Sequence, residues 1–445
     1  MAIDYTFRLR QAHRSGQIAR IAGAISDEGG LIGDIETVNL TRRQSIREIT
    51  VECQDEDHAN RIYKCLEDTD GVTVLWCRNR ALMKHEGGKL VIDPVRQVET
   101  VQQMRDVYTP GVAQACLAIK DDPAKATDYT MIGRTVAICT NGTRVLGLGD
   151  IGPRASMPVM EGKAVFYRQF AGISAMPILI DTKDTDEFVE TVKRIAPTFG
   201  GIHLEDIDSP ACFEIESKLI DALDMPVMHD DVHGTAVVTL AAALVGCRRA
   251  DKDFEDVTVG QIGLGAAGFG IASLMVSAHA SKVVASDPDD SSHARAREEG
   301  VEIVDYDELM EQSDVVVATS GQPDLIDPDD VRDNQIILAL TNPEPEIDPV
   351  KALDAGAAFA ADGSAVNNVL GYPGIFRGAL LAGAREINTE MKVAAGHAIA
   401  ALAEESELVP DVFDKNVHER VAEAVKDAAE HSGAADSDRA AASGL

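Results

Sequence analysis

Positive charge is what this 445-residue chain has least of: 41 Lys and Arg stand against 74 Asp and Glu, leaving a formal charge of −33. Only 15 of those 41 are lysine, so the acidic excess comes with a lysine deficit. No sizeable basic cluster offsets it locally. Such a surface repels nucleic-acid phosphates and anionic membranes, so neither is expected as a partner. The balance is that of a salt-adapted protein, whose self-repulsion high ionic strength screens, with a merely acidic mesophilic protein as the plain alternative. Paired cysteines are missing too. The seven, at 53, 65, 77, 116, 139, 212 and 247, form no C-x-x-C, are odd in number and lie mostly among apolar neighbours, so reduced, buried thiols are expected. The start, MAIDYTFRLR, has no basic segment leading into an apolar one, and the longest apolar stretch, around Val237 to Cys247, is well short of the ~20 residues that span a bilayer. The expectation is a cytoplasmic protein with no membrane segment.

What is present is ordinary for a globular chain, 45% hydrophobic and 26% charged, and the length suits two to four domains. Residues 4–80 carry a pattern of their own. Tyr5, Phe7 and Leu9 alternate as in a strand; Ile18, Ile21, Ala22 and Ile25 recur at helical spacing; strand-like runs follow at 31–40 and 45–53; a helical stretch from His58 to Leu66 leads to VTVLWC at 72–77. The order βαββαβ, with the turn-rich DEGGLIGDI after the first helix, resembles the ACT regulatory domain. That resemblance implies an amino acid or other small effector bound at a subunit interface; a ferredoxin-like module serving only assembly is the alternative.

A polar connector, HEGGK at 85–89, precedes alternating strand-like and helix-like segments from 95 to 395, the pattern of α/β domains with mostly parallel sheets. Strands are expected at 135–140, 173–181, 257–263, 282–287, 313–320 and 336–343. The division that follows is 1–84 for the regulatory module, 85–235 for a substrate and metal domain, 236–395 for a dinucleotide-binding domain of Rossmann type, and 396–445 for a helical extension whose Ala, Ser and Gly end is frayed.

The strand at 257–263 runs into Gly263, Leu264, Gly265, Ala266, Ala267 and Gly268, with a helix-compatible run behind them. Glycines there permit a tight turn and close approach of a pyrophosphate to the helix start. Asp287 ends the next strand about 20 residues on, where a carboxylate can bond the ribose 2′-hydroxyl. That acid favours NAD over NADP, although Lys282, Arg295 or Arg297 could fold back toward a 2′-phosphate.

Acids cluster in Leu204-Glu205-Asp206 and His229-Asp230-Asp231, each after an apolar segment, so they should project from strand ends where parallel sheets place their clefts. Asp231 or Thr235 could cap the apolar helix from 236. Four gathered carboxylates nevertheless need a cation or protons, and hard oxygens in this number suit Mg²⁺ or Mn²⁺. Between Arg144 and Phe170 a glycine-rich stretch leads to Lys163 at the start of an expected helix. A lysine held near a metal and partly desolvated loses its proton more easily and can serve as a general base.

Six ordered motifs carry a closer likeness: YTPGVA at 108–113, GLGDIGPRASMPVMEGK at 147–163, GGIHLEDI at 200–207, HDDVHGTA at 229–236, TNPEPEI at 341–347 and NNVLGYPGIFRGAL at 367–380. Over about residues 95–395 the chain resembles the malic enzymes of the shorter prokaryotic type, with the N-terminal module as an addition. The resemblance implies that Tyr108 is the general acid, Lys163 the general base and Asp230 the acid that orients it. It further implies that Glu205, Asp206 and Asp231 bind the metal, that Arg144, Asn342, Asn367 and Asn368 hold the substrate carboxylates with Asn342 also near the coenzyme, and that malate is oxidatively decarboxylated to pyruvate. Met157 and His233 are assigned no chemistry. A malolactic conversion to lactate and a catalytically dead regulator are the alternatives. A homodimer or larger homo-oligomer is expected from the same likeness.

Overall fold

The computed structural model describes residues 2–363, 366–404, 407–436 and 439–440. They form two compact units, Met1–Lys89 and Leu90–Leu445.

In the first unit, strand β1 (Ile3–Ala12) lies between β3 (Gln44–Cys53) and β4 (Val72–Asn79), with β2 (Leu31–Leu40) outside β3, giving an antiparallel sheet of order β2-β3-β1-β4. Alternation aims Phe7 and Leu9 of β1 and Ile49 and Val51 of β3 into a core. Ile21 and Ile25 of helix Gln17–Asp27 and Ile62 and Leu66 of helix Glu56–Glu67 complete it. Asp55 caps the second helix by accepting the His58 N–H at 2.7 Å. The element order is the βαββαβ read from the sequence, with one difference: Ile18, expected on the buried stripe, is exposed at the first turn. The edge strand β2 leaves Leu31, Ile35, Val38 and Leu40 exposed.

The second unit holds two parallel sheets. The smaller has the order β6-β5-β7-β8, from β5 (Thr135–Thr140), β6 (Ser174–Leu179), β7 (Gly201–Leu204) and β8 (Val227–His229). The larger has the order β11-β10-β9-β12-β13-β14, from β9 (Thr258–Ile262), β10 (Lys282–Ser286), β11 (Glu302–Ile303), β12 (Val315–Ala318), β13 (Ile336–Ala339) and β14 (Phe359–Asp362). This is an α/β fold whose larger sheet is doubly wound, with the reversal of strand order between β9 and β12 that opens a ligand crevice at the carboxyl ends. The short β11 and β14 had no clear signature in the sequence.

The apolar stretch that the sequence places near Val237–Cys247 is the middle of helix Thr235–Arg249. With the preceding turn, Asp230–Arg249 is long and apolar enough to cross a membrane by length and composition, but 78% of its apolar 18-residue window is buried. It packs against helices Ala266–Ser277 and Thr389–Leu402 and is a core helix. The C-terminal charged helix, Lys415–Ser432, buries Val417, Val421, Val425 and Ala429 against helices Tyr372–Ala382 and Thr389–Leu402. It is part of the core, not a loose tail; the Ala, Ser and Gly end expected to fray lies at 441–445, outside the described residues. All seven cysteines are free, as expected, but Cys116 is exposed and Cys65 and Cys77 are only half-buried, because the segments bearing them turn one face to solvent.

Helix Tyr372–Ala382 meets helix Lys415–Ser432 through glycines. A Cβ at Gly378 would come within 2.5 Å of the Ala422 carbonyl oxygen, and one at Gly374 within 2.7 Å of Val421 Cγ1. Gly378→Ala should therefore force the helices apart and lower unfolding stability by about 1–3 kcal/mol; urea denaturation measures it, and an unchanged midpoint would mean that the two helices do not dock this closely.

Candidate active site

Because all strands of the smaller sheet run the same way, their carboxyl ends share one edge. β7 delivers Glu205 and Asp206 there, β8 delivers Asp230 and Asp231, and helix Pro153–Phe166 lays Lys163 across them. The Lys163 ammonium bonds Asp230 Oδ2 and lies 2.9 Å from Glu205 Oε1, with the Tyr372 ring 4.8 Å below it. Asp230 is fully buried, and Glu205 and Asp206 nearly so. Gly234 makes room: a Cβ there would collide with the Asp230 carboxylate, which explains a glycine in HDDVHG.

Behind the lysine runs a buried chain that sequence reasoning missed. The Tyr167 hydroxyl lies 2.8 Å from His203 Nδ1, and His203 Nε2 lies 2.7 Å from Glu205 Oε2. Burial pushes the His203 imidazole down to about 3, so it is neutral, one ring nitrogen donating and the other accepting along this chain. A signal existed: positions 203 and 205 are two apart at a strand end, hence on one face. His233, assigned no chemistry from the sequence, bonds Glu216 at 3.0 Å and accepts from Lys392 at 3.3 Å, a structural tie between its turn and helix Thr389–Leu402.

One oxygen each from Glu205, Asp206 and Asp231 lies within 4.8 Å of the others, and so do atoms of His203, Glu205 and Asp230. In the second group the lysine and the histidine–glutamate contact occupy both Glu205 oxygens and Asp230 Oδ2, while Asp230 Oδ1 is turned against Gly234, away from the lysine, and has no hydrogen-bond partner among the described residues. In the first group no cation lies between the acids, and Asp206 Oδ2 is buried with no hydrogen-bond partner among the described residues. Asp206 also sits in left-handed backbone at φ 53, and its N–H donates to Asp231 Oδ2 at 2.9 Å, which turns the two acids toward each other. Three hard oxygens with one left over fit Mg²⁺ or Mn²⁺.

The electrostatics agree. Burial, then the charges of Glu205 and Asp231, push the Asp206 carboxyl up to about 8. Burial also raises Glu205 well above the carboxylate range. Burial would lower Lys163, but Asp230 and Glu205 outweigh it and hold the ammonium well above its ordinary value. Without a cation among the acids the lysine is their counterion; the easily deprotonated lysine expected from the sequence is one held beside a metal.

Arg144, Thr235, Ala267, Gly321, Asn342 and Asn368 line one cavity of about 290 Å³. Asn368 Nδ2 reaches Asp230 Oδ2 at 3.4 Å and its Oδ1 accepts from Thr235 at 3.1 Å, so the amide is oriented beside the lysine's partner. Arg144 is more exposed, 3.6 Å from Asp208. Asn367 is drawn elsewhere, its Oδ1 capping the Val369 N–H at 3.0 Å. Tyr108 follows helix Val101–Val107, is 69% exposed, and among the described residues has no bond to the lysine cluster.

Ala267 belongs to the glycine turn, so that turn borders the same cavity. Gly263 adopts φ 87, and a Cβ on Gly268 would strike the Gly263 carbonyl. Helix Ala266–Ser277 starts behind Gly265 without a side-chain cap, leaving its first N–H groups for an anion. Asp287 directly follows β10 and accepts from Leu264 N–H at 2.5 Å and Asp289 N–H at 2.7 Å. Two of the three cations that could fold toward a 2′-phosphate are committed: Arg295 stacks 3.8 Å over Phe213 and 5.0 Å from Phe269, and Lys282 bonds Gln312 and Glu302, each at 2.9 Å.

A doubly wound dinucleotide sheet beside a lysine–carboxylate site on a second parallel sheet defines a nicotinamide-dependent oxidoreductase. Residues 88–220 match the family description "Malic enzyme, N-terminal domain", and 244–322 match "D-isomer specific 2-hydroxyacid dehydrogenase, NAD binding domain". The chain is 49% identical over 416 residues to NAD-dependent malic enzyme 1 of Bacillus subtilis, covering 93% of this chain and 95% of that one. It is 41% identical over 461 residues to the NAD-dependent malic enzyme of Geobacillus stearothermophilus, covering 98% and 96%. Among solved structures, the malic enzyme of Pyrococcus horikoshii superposes with a TM-score of 0.74 at 38% identity, over 78% of this chain and 88% of that one. The chain belongs to the malic enzyme family.

In the metal-free protein Asp206 binds its proton more tightly folded than unfolded, so stability should fall as pH rises from about 4 to about 8. Mn²⁺ should reverse that fall, and Asp206→Asn should flatten it and abolish Mn²⁺ binding. Thermal unfolding against pH, with and without Mn²⁺, reads the effect; an unchanged slope in Asp206→Asn would contradict the assignment.

Proposed function

We propose that this chain oxidatively decarboxylates (S)-malate to pyruvate and CO₂ while reducing a nicotinamide coenzyme, with a divalent metal. The observation that carries the reading is Lys163 seated between Asp230 and Glu205, beside a carboxylate trio with an unpartnered Asp206 oxygen. Glu205, Asp206 and Asp231 would hold Mg²⁺ or Mn²⁺. Bound there, the cation would supply Lewis-acid polarisation of the C2 oxygen and offset the acids that keep Lys163 protonated, while the nicotinamide would take the hydride.

Arg144, Asn342 and Asn368 orient the substrate carboxylates from the shared cavity, with Asn367 next to them in sequence. Lys163 accepts the C2 hydroxyl proton, and Asp230, buried and bonded to its Nζ, keeps the amine aimed and balances its charge. Tyr108 protonates C3 after CO₂ leaves. Gly263, Gly265, Ala266, Ala267 and Gly268 cradle the pyrophosphate, and Asp287 meets the ribose. With Arg295 and Lys282 committed elsewhere, NAD is favoured over NADP.

The division 1–84, 85–235, 236–395 and 396–445 fits this reading: regulatory module, substrate and metal domain, coenzyme domain and helical extension. The N-terminal module is ACT-like. A cavity of about 510 Å³ beside the uncapped start of helix Gln17–Asp27, lined by Gln11, His13, Arg14 and Arg47, suits an amino acid or other small carboxylate effector. The segment around Tyr108 exposes Val91, Ile92, Val95, Val101, Met104 and Val107, apolar surface that fits burial in a homodimer or larger homo-oligomer. The net charge of −33 fits a salt-rich cytoplasm and disfavours nucleic acid or anionic membrane as partners.

Malate, NAD and Mn²⁺ at high KCl should yield NADH and pyruvate in equal amounts. Lactate without NADH would point to malolactic conversion, and no turnover would point to a regulator. Lys163→Ala should lower kcat by about 10²–10⁴-fold while Mn²⁺ and NADH still bind, and Tyr108→Phe should slow mainly pyruvate tautomerisation. Normal turnover in both variants would contradict the acid and base roles of these two residues.

A further inference from the structure

Glu346, in TNPEPEI, has no part in the chemistry above, yet it is a fully buried acid at the coenzyme crevice. Among the described residues its side-chain partners are uncharged and come from two loops. Ser320, after β12, donates its N–H at 2.7 Å and its hydroxyl at 2.9 Å to Oε1. Thr341, after β13, donates its N–H to Oε2 at 3.2 Å and its hydroxyl to Oε1. The same Thr341 hydroxyl accepts the Gly321 N–H at 3.0 Å, closing the knot. A buried carboxylate is a costly way to fill space, and an apolar side chain of that size would serve packing better. What the acid adds is a fixed distance between two loops.

Those loops have a direction. Asp287 directly follows β10 on one side of the central strand β9, while β12 and β13 lie on the other, so a dinucleotide resting on the 263–268 turn with its adenosine ribose at Asp287 extends its nicotinamide toward residues 319–321 and 341–342. The turn touches the first loop: a Cβ at Gly263 would lie 2.8 Å from the Thr319 carbonyl oxygen and 3.2 Å from Ser320 Cα. Gln261 Nε2 ties them further, donating to the Gly263 carbonyl at 3.0 Å and to the Thr319 hydroxyl at 2.9 Å. Gly321, Thr341 and Asn342 all line the cavity shared with Arg144 and Asn368.

We propose that Glu346 is a positioning residue that sets the nicotinamide half of the coenzyme site by locking the loop after β12 to the loop after β13. The inference rests on the coenzyme reading above. It separates Glu346 from a general brace, because only the nicotinamide end should feel its loss.

Binding of NADH and of ADP-ribose, which lacks the nicotinamide, to the full-length protein separates the cases. In Glu346→Gln, NADH should weaken about 10-fold or more while ADP-ribose stays within about twofold. Thr341→Val should do the same and Thr341→Ser should restore NADH binding, a pair that carries the test if Glu346→Gln fails to fold. Equal weakening of both ligands, or of neither, would overturn the positioning role while leaving the coenzyme site standing. A wild-type protein that binds neither would overturn the coenzyme reading and this inference with it.

Discussion

The ammonium of Lys163 holds together acids that would otherwise repel one another, and the arrangement of the second unit depends on it. Asp230 and Glu205 come from the ends of different strands, β8 and β7, and the lysine from a helix between β5 and β6. Two carboxylates this deeply buried persist only with a cation or protons between them. The constraint propagates outward. Gly234 must lack a Cβ to leave the Asp230 carboxylate its place, His203, held by Tyr167, must occupy the far oxygen of Glu205, and Thr235 must turn Asn368 toward Asp230. The outer acids, Asp206 and Asp231, are left facing one another with an oxygen to spare, and the proposed second cation would complete the charge balance there.

The larger sheet supplies the other half of the site through one element. Helix Thr235–Arg249 begins where the Asp230–Gly234 turn ends and packs under helix Ala266–Ser277, so the acid turn and the start of the nucleotide helix are fixed to the same buried rod. This makes sense of a helix that composition alone would allow in a bilayer. Its all-round apolar surface is used within the unit, and its first residue, Thr235, bonds Asn368 at the cavity.

Much of this was legible in the chain because the chemistry sits where strands end. Short apolar segments followed by acids located Glu205, Asp206, Asp230 and Asp231 at one sheet edge, and the glycine spacing located the turn at the start of helix Ala266–Ser277 with Asp287 one strand further on. Less legible were features set by the third dimension. The charge state of Lys163 depends on how many carboxylates surround it, which spacing does not reveal. Asn367 reads like its neighbour Asn368, but backbone direction spends one on a cap and turns the other to the site. β11 and β14, at two and four residues, are too short for periodicity, and Ile18 falls on the helical stripe but at an end that no core covers. Glu346 lies in a Pro- and Glu-rich stretch that looks like an exposed turn, and only its loop partners show it to be interior.

Anomalous diffraction from crystals grown with Mn²⁺ bears on the carboxylate trio without reference to activity, since it locates the ion itself. A single strong peak should appear, coordinated by Glu205, Asp206 and Asp231, with the Lys163 amine on the Asp230 side of it. A peak in the corner formed by His203, Glu205 and Asp230, or no peak near these acids at saturating Mn²⁺, would contradict the second cation and the charge balance built on it.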